Sequence, residues 1–136
     1  MTNQKVNPTS LRVPTKAYSQ GVIVQAGSAN LMFITGQLPQ DIDGNIIYVG
    51  DPEAQTRLVF DRIGEILEEG GMSFDDVVKI QIYVNDISKA NITSKIRDEL
   101  FANSKPASTL VEVSGFVKDG CFVEIDAIAA KDSIEM

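Results

Sequence analysis

The chain has 136 residues, of which 43% are hydrophobic and 23% charged, with a mean hydropathy of zero. That composition fits one folded domain and argues against a disordered or fibrous chain. Nineteen acidic against twelve basic residues give a net charge of −7 and a pI near 4.5. Such a surface repels phosphate backbones, so nucleic acid is not an expected partner. The sequence contains no histidine, which removes Ser-His-Asp and Cys-His catalysis and makes a metal site unexpected. A single cysteine, Cys121, cannot form an intrachain disulfide. With no signal peptide in view, this predicts a reducing, cytoplasmic location. No apolar run approaches the roughly 20 residues of a membrane helix, so no membrane contact is expected.

Residues 1–16 are polar, carry Pro8 and Pro14, and read as an N-terminal arm to a single domain spanning the chain. Residues 19–26 and 30–36 read as two strands of a hairpin around Gly27-Ser28, and the turn dipeptide Asp43-Gly44 precedes a short strand at Ile46-Ile47-Tyr48. A helix is predicted from Asp51-Pro52. Asp51 can cap it, Pro52 suits the first helical position, and Glu53 favours the helix dipole. Val59, Ile63, Ile66 and Leu67 then recur on one helical face, and Gly70-Gly71 ends the run.

Residues 77–85 alternate, with Ile80, Ile82 and Val84 on the core side. Ser88 is the expected cap of a second helix, in which Ile92, Ile96 and Leu100 repeat every four residues. Strands near 109–114 and 121–130, joined by a turn at Lys118-Asp119-Gly120, read as a closing hairpin. Asn91-Ile92-Thr93 matches a glycosylation sequon, without consequence in a chain lacking a signal peptide. The pattern predicts an α+β fold: a mixed sheet with two helices on one face. The other face is then bare. On the last strand Phe122, Glu124, Asp126 and Ile128 form its row, and that mixture of apolar and acidic groups points to contact with another subunit.

Glu124 is the candidate catalytic group. If an interface covers it, desolvation raises its pKa and makes it a general acid or base. The competing reading is a solvent-facing strand carboxylate. Tyr18-Ser19-Gln20 and Thr35-Gly36-Gln37 put hydrogen-bonding groups at strand ends, where they either hold a small ligand or only shape turns. Cys121 reads as a small packed residue rather than a reactive thiol, because Lys118 and Asp119 are poor activators.

Taken in order, Tyr18-Ser19-Gln20, Phe33 to Pro39, Ala54-Gln55-Thr56-Arg57, Asp75 to Lys79, Pro106-Ala107-Ser108-Thr109 and Val123 to Ala129 resemble successive signatures of the RidA/YjgF family, over about residues 17–131. The resemblance implies a chorismate-mutase-like α+β fold and a homotrimer whose sheets face inward, with ligand clefts between subunits. It also implies a cofactor-free deaminase that hydrolyses imines or enamines, such as 2-iminopropanoate, to a carbonyl product and ammonia. Some relatives have been called endoribonucleases or translation inhibitors, a reading that an acidic chain without histidine fits poorly.

Two departures bear on substrate choice. Deaminating relatives carry an arginine after Pro-Ala, where it clamps the substrate carboxylate, and this chain has Ser108. The second helix of the family often carries an asparagine and a tyrosine three residues apart, and these positions are Ser94 and Arg97. The implied site is then Glu124 as catalyst, with Tyr18, Gly36, Ala107, Ser108 and Thr109 around the substrate. Lys16, Arg12 and Arg97 are the candidate sources of positive charge. The missing arginine favours an atypical, neutral or differently charged imine. It equally favours a non-catalytic trimer that binds or senses a metabolite such as a keto acid.

Overall fold

The computed structural model describes residues 3–133. Its strands are β1 (Asn3–Val6), β2 (Gly21–Ala26), β3 (Ala29–Gln37), β4 (Val77–Val84), β5 (Ala107–Glu112) and β6 (Val123–Asp132), and its helices are α1 (Pro52–Glu69) and α2 (Ala90–Leu100). The strands form one mixed sheet in the order β1-β2-β3-β6-β4-β5. Only β4 and β5 run parallel, joined by a crossover through α2.

The α+β architecture follows the expectation, and the local devices are legible in the residues. Gly27, at φ 62°, takes the left-handed conformation the tight β2–β3 turn requires. Asp51 caps α1 by accepting the Ala54 N–H at 3.1 Å, with Pro52 in the first turn. The apolar face of α1 (Val59, Phe60, Ile63, Ile66 and Leu67) is buried against β3 and β6. Beneath it lie Met32 and Ile34 of β3, Ile80, Ile82 and Val84 of β4, and Val123, Ile125, Ala127 and Ala129 of β6. Burying each large aliphatic side chain is worth about 1.5–3 kcal/mol, so this layer holds the helices on one side of the sheet.

Five details differ from the sequence-based expectation. Residues of the N-terminal arm form an edge strand, β1, paired with β2 from Asn3↔Val24 to Val6↔Gly21. Val6 is buried there, so one apolar residue anchors an otherwise polar segment. Ile46-Ile47-Tyr48 does not form a strand, and an isolated bridge between Gln40 and Ile46 stands in its place. Asp86, not Ser88, begins the second helical segment. Its carboxylate accepts the Ser88 N–H at 3.1 Å and caps a short 3₁₀ turn, Ile87–Lys89, ahead of α2.

The closing hairpin is not formed. β6 inserts between β3 and β4, while β5 pairs in parallel on the far side of β4. Alternation tells a strand which face is buried but not which strand is its neighbour. Finally, Phe122 lies before β6 begins and is buried in the core, with only 8% of its surface exposed. The outer row of β6 is therefore Glu124, Asp126 and Ile128, each half-buried.

Candidate active site

β3 carries a bulge beside β6: Ile34 pairs with Ala127, but the next registered pair is Gln37↔Ile125. Three residues of β3 thus span two of β6, and the extra residue lifts the backbone at Thr35-Gly36 out of the ladder. Glu124 crosses this place. A Cβ on Gly36 would collide with its carboxylate and lie 3.0 Å from Cδ and 3.2 Å from Cγ. Gly36 is there because the carboxylate passes directly over the backbone.

The bulge is braced from behind. The buried Gln37 side chain donates to Gln20 Oε1 and to Thr35 O, both at 2.9 Å, and Gln20 in turn donates to Arg12 O at 2.9 Å. Thr35 Oγ1 donates to Ser19 O at 2.6 Å. These bonds tie the Tyr18-Ser19-Gln20 segment to the bulge and fix the mouth of a cavity of about 540 Å³. Its walls include Arg12, Lys16, Tyr18, Gly36, Lys118 and Glu124. Tyr18 is half exposed at the rim. Lys118 also lines the cavity, although no sequence motif marks it as part of the site. It donates to Gln40 Oε1 at 2.9 Å and to Gly44 O at 2.6 Å, which holds its ammonium at the cavity edge.

Burial holds the Glu124 carboxyl above the usual carboxylate range, and the charge of Asp126 adds to the effect. Among the described residues, nothing donates a hydrogen bond to Glu124. Asp126, two residues on, is also raised by burial, opposed by the hydrogen bond it accepts from Tyr83 Oη at 3.1 Å and by Lys79. The phenol of Tyr83 is raised by burial first and by the Asp126 charge second. The Cys121 thiol is pushed up to about 11, chiefly by burial and secondly by the charge of Glu124. It is a packed, protonated group, as its sequence context predicts.

The remaining predicted residues lie elsewhere. Ser108 pairs with the inward-facing Ile80, whereas Glu124 pairs with the outward-facing Tyr83. Ser108 therefore belongs to the helix side of edge strand β5, and within one chain it does not meet Glu124. Ala107 and Thr109 lie beside Lys79 and Gln81. Arg97 of α2 donates from Nη1 to Ser108 Oγ at 3.1 Å. These two residues line a second cavity, of about 710 Å³, with Asp98, Phe101, Lys105 and Pro106.

The motif Ala54-Gln55-Thr56-Arg57 contributes no group to either cavity. Gln55, wholly buried, donates to Ile47 O at 3.1 Å and Gly120 O at 2.8 Å and accepts from Phe122 N at 2.7 Å. Thr56 shares a buried hydroxyl bond of 3.0 Å with Thr93 of α2. Among the described residues no group of three or more His, Cys, Asp or Glu side chains could hold a metal, and no helix is long and apolar enough to cross a membrane.

With this geometry in place, the relatives are informative. The sequence profile of the Endoribonuclease L-PSP family matches residues 9–131. A RutC family protein of Pyrococcus abyssi is 40% identical over 119 residues, covering 88% of this chain and 90% of that protein. A Rid-family protein of unknown function from Yersinia pestis has 27% identity and a TM-score of 0.84, with 96% of this chain and 100% of that one covered. The fold is shared also with TdcF of Escherichia coli, solved with bound serine, at 23% identity and a TM-score of 0.80, covering 95% of this chain and 99% of that one. The chain belongs to the RidA/YjgF family, the family described as Endoribonuclease L-PSP.

Proposed function

We propose that the protein is a cofactor-free hydrolytic deaminase of small imines or enamines, and that Glu124 is its catalytic group. The carrying observation is the unbonded, pKa-raised carboxylate lying over Gly36 in a cavity of about 540 Å³. A carboxyl raised above its usual range is a stronger base than an ordinary carboxylate, which suits it to take a proton and return it. Glu124 removes a proton from water as its oxygen bonds to the imine carbon. It returns that proton to nitrogen to give a carbinolamine, then takes the hydroxyl proton as the carbonyl forms and passes it to the nitrogen as the C–N bond breaks, so that a carbonyl product and ammonia leave. The Gly36 backbone approaches the substrate because no side chain intervenes, and Tyr18 covers the mouth.

Copies of the chain meet through the bare sheet face in a homotrimer, and the 106–109 edge of one copy faces the Glu124 cleft of the next. The bound serine of TdcF supports a ligand the size of an amino acid or keto acid. Ser108 favours the second reading, a trimer that binds such a ligand without turning it over.

One experiment separates the two. Imines with and without a carboxylate are supplied to the native protein and to Glu124→Gln, and carbonyl release is followed in a coupled assay, with the mass in solution fixed by sedimentation. Hydrolysis by a native trimer that falls at least about a hundredfold in Glu124→Gln supports the deaminase, the scale expected of a general acid–base group. Binding without turnover supports the second reading. A stable monomer at micromolar concentration overturns the intersubunit cleft.

A further inference from the structure

Positive charge is concentrated in the two cavities. Of the twelve basic residues in this −7 chain, Arg12, Lys16 and Lys118 line the Glu124 cavity, and Arg97 and Lys105 line the cavity at the β5 edge. Among the described acidic residues, these cavities hold only Glu124 and Asp98. In an acidic protein such concavities draw anions.

The five cations are not equally prepared to hold one. Lys118 is engaged with Gln40 and Gly44. The Arg12 guanidinium lies against Gly44. Lys16 and Lys105 are exposed and flexible ammonium groups. Arg97 differs, since only 25% of its side chain is exposed and its plane is fixed from two sides. Nε and Nη2 donate to the same Asp98 oxygen at 3.1 and 2.9 Å, and Nη1 donates to Ser108 Oγ at 3.1 Å. A guanidinium has five N–H donors. Two therefore remain, one on each terminal nitrogen, in a cavity of about 710 Å³. Ser108 is short enough to support the guanidinium without filling that space.

We infer that Arg97, held in place by Ser108 and Asp98, binds the carboxylate of the ligand, so that anionic ligands are selected from helix α2 rather than from strand β5. This rests on the proposed reading in one respect, that the β5 edge of one copy faces the Glu124 cleft of the next. It revises the expectation that Ser108 signals a neutral substrate. The remaining pair of donors matches a carboxylate, and charge-assisted hydrogen bonds are the strong ones.

The test uses pyruvate and its neutral isostere pyruvamide as probes, titrated by NMR into the native protein, Arg97→Gln and Arg97→Lys. Among the described residues Arg97 bonds to Ser108 and an exposed Asp98 alone, so both variants are expected to keep the native melting temperature within a few degrees. The native protein is expected to bind pyruvate more tightly than pyruvamide. Arg97→Gln should weaken pyruvate by roughly ten- to a hundredfold and leave pyruvamide nearly unchanged, because only the charge-assisted bonds are lost. Arg97→Lys, with the charge but not the fork, should fall between. If Arg97→Gln binds pyruvate as the native protein does, or if the native protein binds no pyruvate or does not prefer it, the assignment is overturned. If the probes behave as expected but no imine is hydrolysed, the deaminase reading fails and the Arg97 assignment stands.

Discussion

Gln55 and Glu124 bring long polar side chains to the same end of β6, and the protein treats them in opposite ways. Gln55 is wholly buried and makes three hydrogen bonds. Glu124 is half-buried, sits in a cavity and accepts none among the described residues. A buried amide with every partner supplied is a structural joint, since orphaned groups in the interior cost more than the bonds return. A carboxylate left without partners in a cavity keeps its bonding capacity for a ligand. Both residues lie in family motifs, so motif membership alone does not distinguish the two roles. Their hydrogen bonds do.

The sharpest way to break this contrast is Gln55→Leu. The substitution leaves the Phe122 N–H and the carbonyls of Ile47 and Gly120 without their partner. With about 1–3 kcal/mol for each of the three orphaned groups, a loss of at least about 3 kcal/mol is expected. Denaturant titration should show it, with a melting temperature lowered by about 10 °C or more. Glu124→Gln should cost little stability at neutral pH while removing turnover. If Gln55→Leu proves mild, the amide is not the joint described.

Much of the fold is legible in the sequence, and the gaps have physical causes. Asp51-Pro52, the Val59–Leu67 face and the alternation of 77–85 are local signals, and α1 and β4 follow them closely. The position of β6 between β3 and β4 is not local. Its period-two pattern is equally consistent with a hairpin partner on β5, and only long-range pairing decides. Gln55 is opaque for the same reason, because its partners lie 8, 65 and 67 residues away.

Within the site, Glu124 and Gly36 are readable because mid-strand acid and glycine are each unusual in a sheet. The separation of Ser108 from Glu124 emerges only with the register of β4 against both neighbours. Extending the alternation one residue past the start of the strand puts Phe122 in the outer row. The Gln55 bond to its N–H marks the turn where that alternation has not yet begun.

Gly36→Ala gives a smaller effect on stability and sharpens the comparison from the other side. Its Cβ would collide with the carboxylate of Glu124, which no described residue holds by a hydrogen bond and which can swing away. The stability change is expected to stay below about 1 kcal/mol. Turnover is expected to fall nearly as far as in Glu124→Gln, because the displaced carboxylate no longer lies over the backbone that receives the substrate. Thermal melts and the imine assay on the same preparation check both halves. A large stability loss with intact turnover would mean that Glu124 is held more firmly than its lack of partners implies.

The smallest expected effect is a matter of sign. In the folded protein the carboxyls of Glu124 and Asp126 both lie above their ordinary values of 4.5 and 3.8, chiefly through burial. The native state therefore holds these protons more tightly than the unfolded chain does. The stability that each contributes is complete below its ordinary value and is lost as pH rises through the raised one. Glu124→Gln removes one of these titrations. Its melting temperature relative to the native protein should be lowest near pH 4 and rise towards pH 7, by a modest amount because water still reaches the carboxylate. Asp126→Asn should show the same sign less strongly, since the Tyr83 hydrogen bond and Lys79 already favour its charged form. Melting curves of the three proteins across that range decide the matter. If the advantage of Glu124→Gln shrinks as pH rises, a cation in the assembled protein holds the carboxylate in its charged form. Glu124 would then be a paired structural group like Gln55, and the distinction between the two would disappear.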